Sequence, residues 1–425
     1  MPQEIAFNMA TSNIRFGCGV TQEVGMDCKD LNLDKLMVVV DPALRELPPV
    51  TVALQALEDA KVSFLLFDAV RIEPTDESIQ EAVSVAVKNE VNGFLAIGGG
   101  STIDTAKAAN LYSSYPADFL DYVNAPIGKG LPVPGILKPL IAIPTTAGTG
   151  SETTGVAIFD LKTMKAKTGI AHRRLKPTLG LLDPENTRTM PPAVGASTGL
   201  DVLSHALESY TAIPFEQRSY PASPIIRPAY QGSNPISDVW SLEALRLVSQ
   251  FLCRAVADPS DDIARSKMLL AASYAGVGFG NAGVHLPHGM SYPVSGMVKT
   301  FHPDGYDVDH AMVPHGISVI LNAPSVFRFT GSACPERHLT AAKILGANVS
   351  NKLLADAGEI LSDQIVSLIQ ELRLPNGLKA LGYDYEDIPQ LVQGTLPQHR
   401  VTKLSPRPAS SDDLAEIFED ALVAW

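Results

Sequence analysis

The stretch GFLAIGGGSTIDTAK, Gly93–Lys107, decides the fold. It opens as an uninterrupted apolar run, passes through three successive glycines and continues with helical spacing. A continuous apolar run is what a strand buried on both faces requires. The glycines let the backbone turn tightly and come close to a ligand. The helix behind them offers its first amides and the positive end of its dipole to an anion. That is the physics of a dinucleotide pyrophosphate site. The Gly-Lys-Ser/Thr ending of a Walker loop is absent, and so is a GxGxxG pattern.

Outward from this stretch the same texture repeats. LMVVV (Leu36–Val40), VSFLLF (Val62–Phe67), PLIAIP (Pro139–Pro144) and LGLLDP (Leu179–Pro184) read as strands, and VTVALQALEDAK and DESIQEAVSVAVKNE read as helices. The alternation predicts a doubly wound α/β domain around a parallel sheet, over 1–189. After Met190 the segments lengthen and take the helical period, as in AVGASTGLDVLSHALESYTA and DDIARSKMLLAASYAGVGF. An all-α domain over 190–425 follows, closed by DDLAEIFEDALVAW with Ser410 or Ser411 as N-cap. Two long stretches interrupt it. One is Pro214–Pro235; the other, Val298–Pro314, holds His302, Asp304, Asp307, Asp309 and His310. Loops of that length inside a compact domain tend to be functional.

Composition excludes several classes of function. Apolar residues make up 45% and charged residues 19% of 425, which rules out a disordered or coiled-coil chain. Against 33 basic residues stand 46 acidic ones, a net charge of −13 that argues against nucleic-acid and anionic-membrane partners. Cys18, Cys28, Cys253 and Cys334 form no CxxC pair, so neither a thiolate zinc ribbon nor a disulfide framework is expected. No run reaches the roughly 18 apolar residues of a membrane span. The first residues, MPQEIAFNMATSNIRFG, show neither a secretory nor a transit pattern. The expectation is a cytoplasmic protein, mitochondrial only if a presequence is missing from this chain.

Two further features join the glycines. IPTTAGTGSETT (Ile143–Thr154) sets Thr145, Thr146, Thr149, Ser151, Thr153 and Thr154 among glycines after a strand, where hydroxyls suit a ribose and an amide. Asp41 ends LMVVV, where a carboxylate accepts from ribose hydroxyls and repels a 2′-phosphate, favouring NAD over NADP. Each alone is an ordinary turn; together, at the C-terminal ends of parallel strands, they make a nucleotide site.

A second constellation lies downstream. GLDVLSHALESY puts Asp201 and His205 four residues apart, on one helix face. HLPHGMSYP supplies His285 and His288, and VPHGISV supplies His315. One carboxylate with imidazoles is a nitrogen and oxygen site for Fe(II) or Zn(II). On spacing alone His285, His302 and His310 remain rival ligands. His172, His338 and His399 read as structural or solvated.

GGGSTIDTAK, IPTTAGTGSETT, TGLDVLSHALESY, HGMSYP and VPHG together resemble the iron-containing (group III) alcohol dehydrogenases over nearly the whole chain. RPAYQGSNPISDVW, GFGNAGVHLPHGMSYPVSG and PQHRVTKL are similar to the hydroxyacid–oxoacid transhydrogenase branch, and simple alcohol dehydrogenases usually lack them. The resemblance implies a dehydroquinate synthase-like fold with the active site in the cleft between its two domains. It implies catalytic metal ligands at Asp201, His205, His288 and His315. It also implies NAD contacts at Asp41, Gly98, Gly99, Gly100, Ser101, Asp104, Thr145, Thr146, Thr149, Thr154 and Lys167. By pattern alone, Lys167 lies in a solvent-facing strand, KAKTGI. The implied reaction carries hydride from 4-hydroxybutyrate to 2-oxoglutarate through NAD, giving succinate semialdehyde and 2-hydroxyglutarate. Fe(II) is the implied metal, with Zn(II) compatible, and a homodimer the implied assembly.

Two departures stand out. Tyr292 occupies a position where many relatives carry a second histidine used in proton relay, and Glu73 stands where many carry asparagine before Pro-Thr. Acid substrates also call for a cation. Arg227 in the long insertion is the first candidate, ahead of Arg218 and Lys299, because a guanidinium grips a carboxylate through its fork. The rival readings are an ordinary NAD-dependent dehydrogenase, a lyase of the dehydroquinate synthase kind and a non-catalytic nucleotide-binding protein.

Overall fold

A computed structural model of the chain describes residues 2–164, 166–306, 308 and 310–425. Asp307 and Asp309 lie outside the described residues. The chain divides into two compact units, Ala10–Met190 and a second made of Pro191–Trp425 with the segment up to Met9.

The first unit is built on six parallel strands: β1 (Asn13–Phe16), β2 (Leu36–Val40), β3 (Phe64–Phe67), β4 (Gly93–Gly98), β5 (Leu140–Pro144) and β8 (Leu179–Leu182). Their spatial order is β1-β8-β5-β4-β2-β3. Each strand shows apolar residues without alternation because both faces are covered. Val38, Val40, Leu95, Ile97, Ile141 and Ile143 point to one side, against helices Val24–Asp30 and Pro48–Asp59. Met37, Val39, Phe94, Ala96 and Ala142 point to the other, against Asp76–Lys88 and Gly100–Ser114. From β2 the chain runs outward to β3, then returns past β2 to β4 and continues to β5. The winding direction therefore reverses beside β2 and β4, the position at which such sheets bind ligands. Asp41 follows β2, Gly99 and Gly100 follow β4, and Thr145 follows β5.

Two parts of this unit carry little sequence signal. β1 is a short edge strand with Ile14 and Phe16 largely exposed, so it lacks the buried-strand pattern. β6 (Val156–Leu161) and β7 (Ala166–Ala171) form an antiparallel hairpin outside the main sheet. Lys167 on β7 departs from its solvent-facing pattern: it is only 2% exposed, because Glu73 and Asp160 reach its ammonium.

The second unit is helical. Helices Pro192–Thr211, Pro235–Ala257 and Asp262–Ala282 pack on one another, with His315–Ile320 beside the first of them and Leu286–Gly296 beside His315–Ile320. From Gly199 to Thr211 every residue of the first helix is buried, as befits a helix that is apolar on nearly all sides. Apart from Tyr210, the ionisable side chains of this stretch are Asp201, His205 and Glu208, and such a helix carries them into the interior. The last helix, Ser411–Ala421, is capped by Ser410, whose Oγ accepts from the Asp413 amide at 3.1 Å.

The domain division departs from 1–189 at the chain start. Glu4 N donates to Arg218 O at 2.8 Å, Tyr220 N to Pro2 O at 2.9 Å, and Asn8 and Gln231 exchange two bonds of 2.8 Å. These bonds fasten the first residues to the Pro214–Pro235 insertion of the helical unit. Nothing in a run of isolated polar residues announces a pairing more than two hundred positions away.

Candidate metal centre and cofactor cradle

Asp201 and His205 lie one turn apart on helix Pro192–Thr211. His288 sits in the first turn of helix Leu286–Gly296, and His315 opens helix His315–Ile320. One ligand atom from each of the four lies within 4.8 Å of all the others. The Nε2 atoms of His205, His288 and His315 are 3.7, 3.6 and 3.8 Å from Asp201 Oδ1. These separations are too long for hydrogen bonds. They suit donors around a cation, since bonds of about 2.1 Å place tetrahedral ligand atoms about 3.4 Å apart.

His288 Nε2 is fully buried without a hydrogen-bond partner. A buried imidazole nitrogen aimed at other donors is costly unless a cation completes it, so these residues fit a divalent metal. Burial holds the imidazoles in the neutral form that ligation needs: His205 is pushed well below its usual range, and His288 down to about 3.

Glu208, which the sequence reading passed over, organises the ligands from behind. Its Oε1 accepts from His288 Nδ1 at 2.6 Å and its Oε2 from the His285 backbone amide at 2.6 Å. The first bond fixes the His288 tautomer so that Nε2 keeps its lone pair for the metal. Glu208 is completely buried, and burial raises its carboxyl to about 7. The available signal was position: Glu208 lies three residues after His205 in an otherwise apolar helix.

The rival histidines separate cleanly. His285 is buried but turns away, with Nε2 against Thr211 Oγ1 at 3.0 Å. His302 is exposed, and neither it nor His310 joins the four donors. Phe279 stacks on His205 with ring centroids 3.9 Å apart, which fixes the plane of that imidazole. One turn after His288, the Tyr292 hydroxyl accepts from Arg400 Nη2 at 2.6 Å.

Arg227 does not offer a free fork. Its Nε and Nη2 donate to the two carboxylate oxygens of Glu4, both at 2.9 Å. The chain's own N-terminal carboxylate takes the place that the sequence reading reserves for substrate. Arg218 donates to the Tyr230 carbonyl, and Lys299 pairs with Asp387 at 2.7 Å.

In the first unit the glycine turn and the threonine loop are built against each other. Thr145 N donates to Gly98 O at 3.1 Å. A Cβ on Gly98 would meet Thr102 Oγ1 at 2.3 Å, and one on Gly100 would meet Thr149 Cγ2 at 2.6 Å. Gly99, 3.4 Å from Thr146 by the same construction, caps the helix Gly100–Ser114. The turn thus brings backbone to the helix start with no side chain in the way. Asp41 accepts from the Ala43 amide at 2.9 Å, and burial raises its carboxyl above the usual range.

Three expected contact residues are held by the protein itself. Asp104 accepts from Ser151 Oγ at 2.6 Å and from the Ile158 amide at 2.9 Å. Thr154 Oγ1 accepts from the buried Lys107 at 3.3 Å, and Lys167 pairs with Glu73. Ser101 Oγ accepts from the Glu73 amide at 3.2 Å, so Glu73 bridges the glycine turn to Lys167. Asp183, after β8, is another carboxylate the sequence reading left out. It accepts from the Gly19 and Thr21 amides at 3.0 and 3.1 Å and closes the loop that follows β1.

Comparison with known proteins agrees with this anatomy. The family described as iron-containing alcohol dehydrogenase matches residues 11–184, and the family's C-terminal region matches 229–422. The mitochondrial hydroxyacid-oxoacid transhydrogenase of Bos taurus is 58% identical over 99% of this chain and 90% of its own length. A solved 1,3-propanediol oxidoreductase superposes with a TM-score of 0.86 at 27% identity, covering 98% of this chain and 100% of its own. Sulfoacetaldehyde reductase from Bifidobacterium kashiwanohense, solved with NAD+, covers 99% of each chain with a TM-score of 0.78 at 27% identity. The transhydrogenase relatives are named as mitochondrial, which gives the cytoplasmic expectation no support. Among the described residues no helix is long and apolar enough to cross a membrane. With a parallel nucleotide-binding sheet, a three-histidine and aspartate cluster and this degree of identity, the chain is an oxidoreductase that belongs to the iron-containing alcohol dehydrogenase family, in its hydroxyacid–oxoacid transhydrogenase branch.

Proposed function

We propose that the protein oxidises a small hydroxyacid, 4-hydroxybutyrate or a near analogue, and reduces 2-oxoglutarate with the same hydride. The observation that carries this reading is the convergence of Asp201, His205, His288 and His315 in a chain 58% identical to a transhydrogenase. When bound, a divalent metal supplies Lewis acidity to the substrate oxygen and NAD supplies the hydride acceptor. Fe(II) is the metal we assign, and Zn(II) suits the same donors. The chain's own work is to hold and shield. Glu208 fixes the His288 tautomer, and Phe279 braces the His205 ring. Gly98–Gly100 and Thr145, Thr146 and Thr149 hold the dinucleotide, with Asp41 at its ribose. Asp104, Thr154 and Lys167 keep these loops in place.

In the overall exchange the alcohol carbon of 4-hydroxybutyrate loses a hydride and its hydroxyl a proton, giving succinate semialdehyde. The carbonyl carbon of 2-oxoglutarate gains the hydride and its oxygen a proton, giving 2-hydroxyglutarate. We assign the mitochondrion, the compartment in the relatives' names, as the place of action.

The test uses purified protein loaded with Fe(II), given 4-hydroxybutyrate and 2-oxoglutarate without added nucleotide. Sustained formation of 2-hydroxyglutarate supports the reading. Turnover that appears only with added NAD makes the protein an ordinary dehydrogenase instead.

A further inference from the structure

Among the described residues no carboxylate pairs with the Arg400 guanidinium of the helical unit. Arg400 belongs to the short helix His399–Thr402, which packs on the helix carrying His288; a Cβ at Gly289 would lie 2.7 Å from Thr402 Cγ2. Arg400 Nη2 donates to Tyr292 Oη at 2.6 Å, and its Cζ lies 5.0 Å from the centroid of the Tyr230 ring. Nη1 is closed off from solvent and has no hydrogen-bond partner. The two phenols act on this cation most strongly, after the cost of its burial. Several other arginines meet acids: Arg15 meets Asp27, Arg227 Glu4, Arg254 Asp261, Arg328 Asp420 and Arg337 Asp238. A buried charge without its opposite is expensive, and a protein retains one where a ligand brings the missing charge.

The position of Arg400 says which ligand. Tyr292 is four residues after His288 and so shares its helix face. Tyr230 packs on Phe279 at 6.3 Å between centroids, and Phe279 stacks on His205. Both tyrosines that hold Arg400 are thus built onto the residues around the metal ligands. We propose that Arg400 receives the carboxylate of the acid substrate, Nη1 donating to it while Tyr292 and Tyr230 hold the guanidinium in plane. This rests on the proposed function and names the residue that makes it an acid-specific one. A neutral alcohol leaves Nη1 unpaired in a buried site, a form of rejection worth far more than a poor apolar fit.

The test is binding of glutarate, a dicarboxylate with no group to oxidise, measured by calorimetry on the metal-loaded wild type, Arg400→Gln and Arg400→Lys. Arg400→Gln should weaken glutarate roughly 10- to 100-fold, the span of a lost charge-assisted hydrogen bond. Arg400→Lys, keeping charge but not the planar fork, should fall between, with a loss of at least about threefold. The ratio of kcat/KM for 4-hydroxybutyrate to that for 1-butanol should drop by the same factor, through KM rather than kcat. Glutarate affinity within twofold of wild type in either variant, or a wild type that binds no glutarate, overturns the proposal. Should Arg400→Gln not fold, the lysine variant decides alone. If glutarate discriminates as expected while the wild type forms no 2-hydroxyglutarate, the reaction assignment fails and the carboxylate site stands.

Discussion

Replacing Glu208 by Gln separates a carboxylate that organises the metal ligands from one that merely fills space. Glu208 Oε1 accepts from His288 Nδ1 and Oε2 from the His285 amide, each at 2.6 Å. A glutamine has one acceptor oxygen and a donor NH2. Whichever way it turns, a buried N–H is left facing an N–H. An unsatisfied buried donor costs about 1–3 kcal/mol. Removal of an outer partner of a metal-bound histidine typically lowers metal affinity about 10- to 100-fold, or about 1.4–2.8 kcal/mol. The two estimates agree. The assay is competition for Zn(II) or Fe(II) against a chromogenic chelator at fixed pH, alongside the melting temperature of the metal-free protein. A control is Thr211→Val, which removes the partner of His285 Nε2. Because His285 stands outside the four-donor cluster, that variant should change metal affinity less than about threefold. An unchanged metal affinity in Glu208→Gln, or an equal loss in Thr211→Val, would refute the reasoning.

Other consequences are equally direct. Gly100→Ala puts a Cβ 2.6 Å from Thr149 Cγ2; NADH binding followed by fluorescence should weaken at least about tenfold, and adding Thr149→Ser should recover part of it. Lys107→Met removes bonds to Ser151 at 2.6 Å and to the Val156 carbonyl at 2.8 Å and leaves Asp104 without its cation. Urea unfolding should report a loss of about 3–5 kcal/mol. Glu4 is held at about 2 by its bond from Arg227. Because the folded value lies below the unfolded one of about 4.3, its contribution is complete above that pH and vanishes as pH falls towards about 2. In Arg227→Met the largest part of this contribution is gone, the Ile5 and Ala6 amides alone remaining, and acid unfolding followed by circular dichroism should begin at higher pH.

The parts of the fold legible in sequence are those whose physics is local. β2, β4, β5 and β8 announce themselves because a strand covered on both faces tolerates no polar residue. The helix Pro192–Thr211, buried from Gly199 onward, announces itself by its apolar length. Asp201 and His205 are legible as a pair because the helix period fixes them on one face. His288 and His315 are different. Their convergence on Asp201 depends on how separate helices pack, so spacing could not choose His288 over His285, whose ring points to Thr211. The β6–β7 hairpin and the docking of the first residues on Arg218 and Arg227 rest on long-range pairing that no local window contains.

Charge is where sequence says least, because a residue's letter does not carry its counter-ion. Arg227 and Arg400 are the same residue in Pro-rich, loop-like surroundings. One is neutralised by Glu4, more than two hundred positions away in the chain, and the other is left between two phenols. Lys167 looks like a surface lysine until Glu73 and Asp160 are seen to meet it. Glu73 shows the logic in reverse: its carboxylate, beside the glycine turn, is absorbed by Lys167. A lysine already neutralised has little charge left for a cofactor phosphate, so on the proposed function the pyrophosphate falls to the glycine turn and the helix start behind it. Gly100→Ala should accordingly weaken the cofactor more than Lys167→Met does. The reverse order would place the anion on the lysine and not on the backbone.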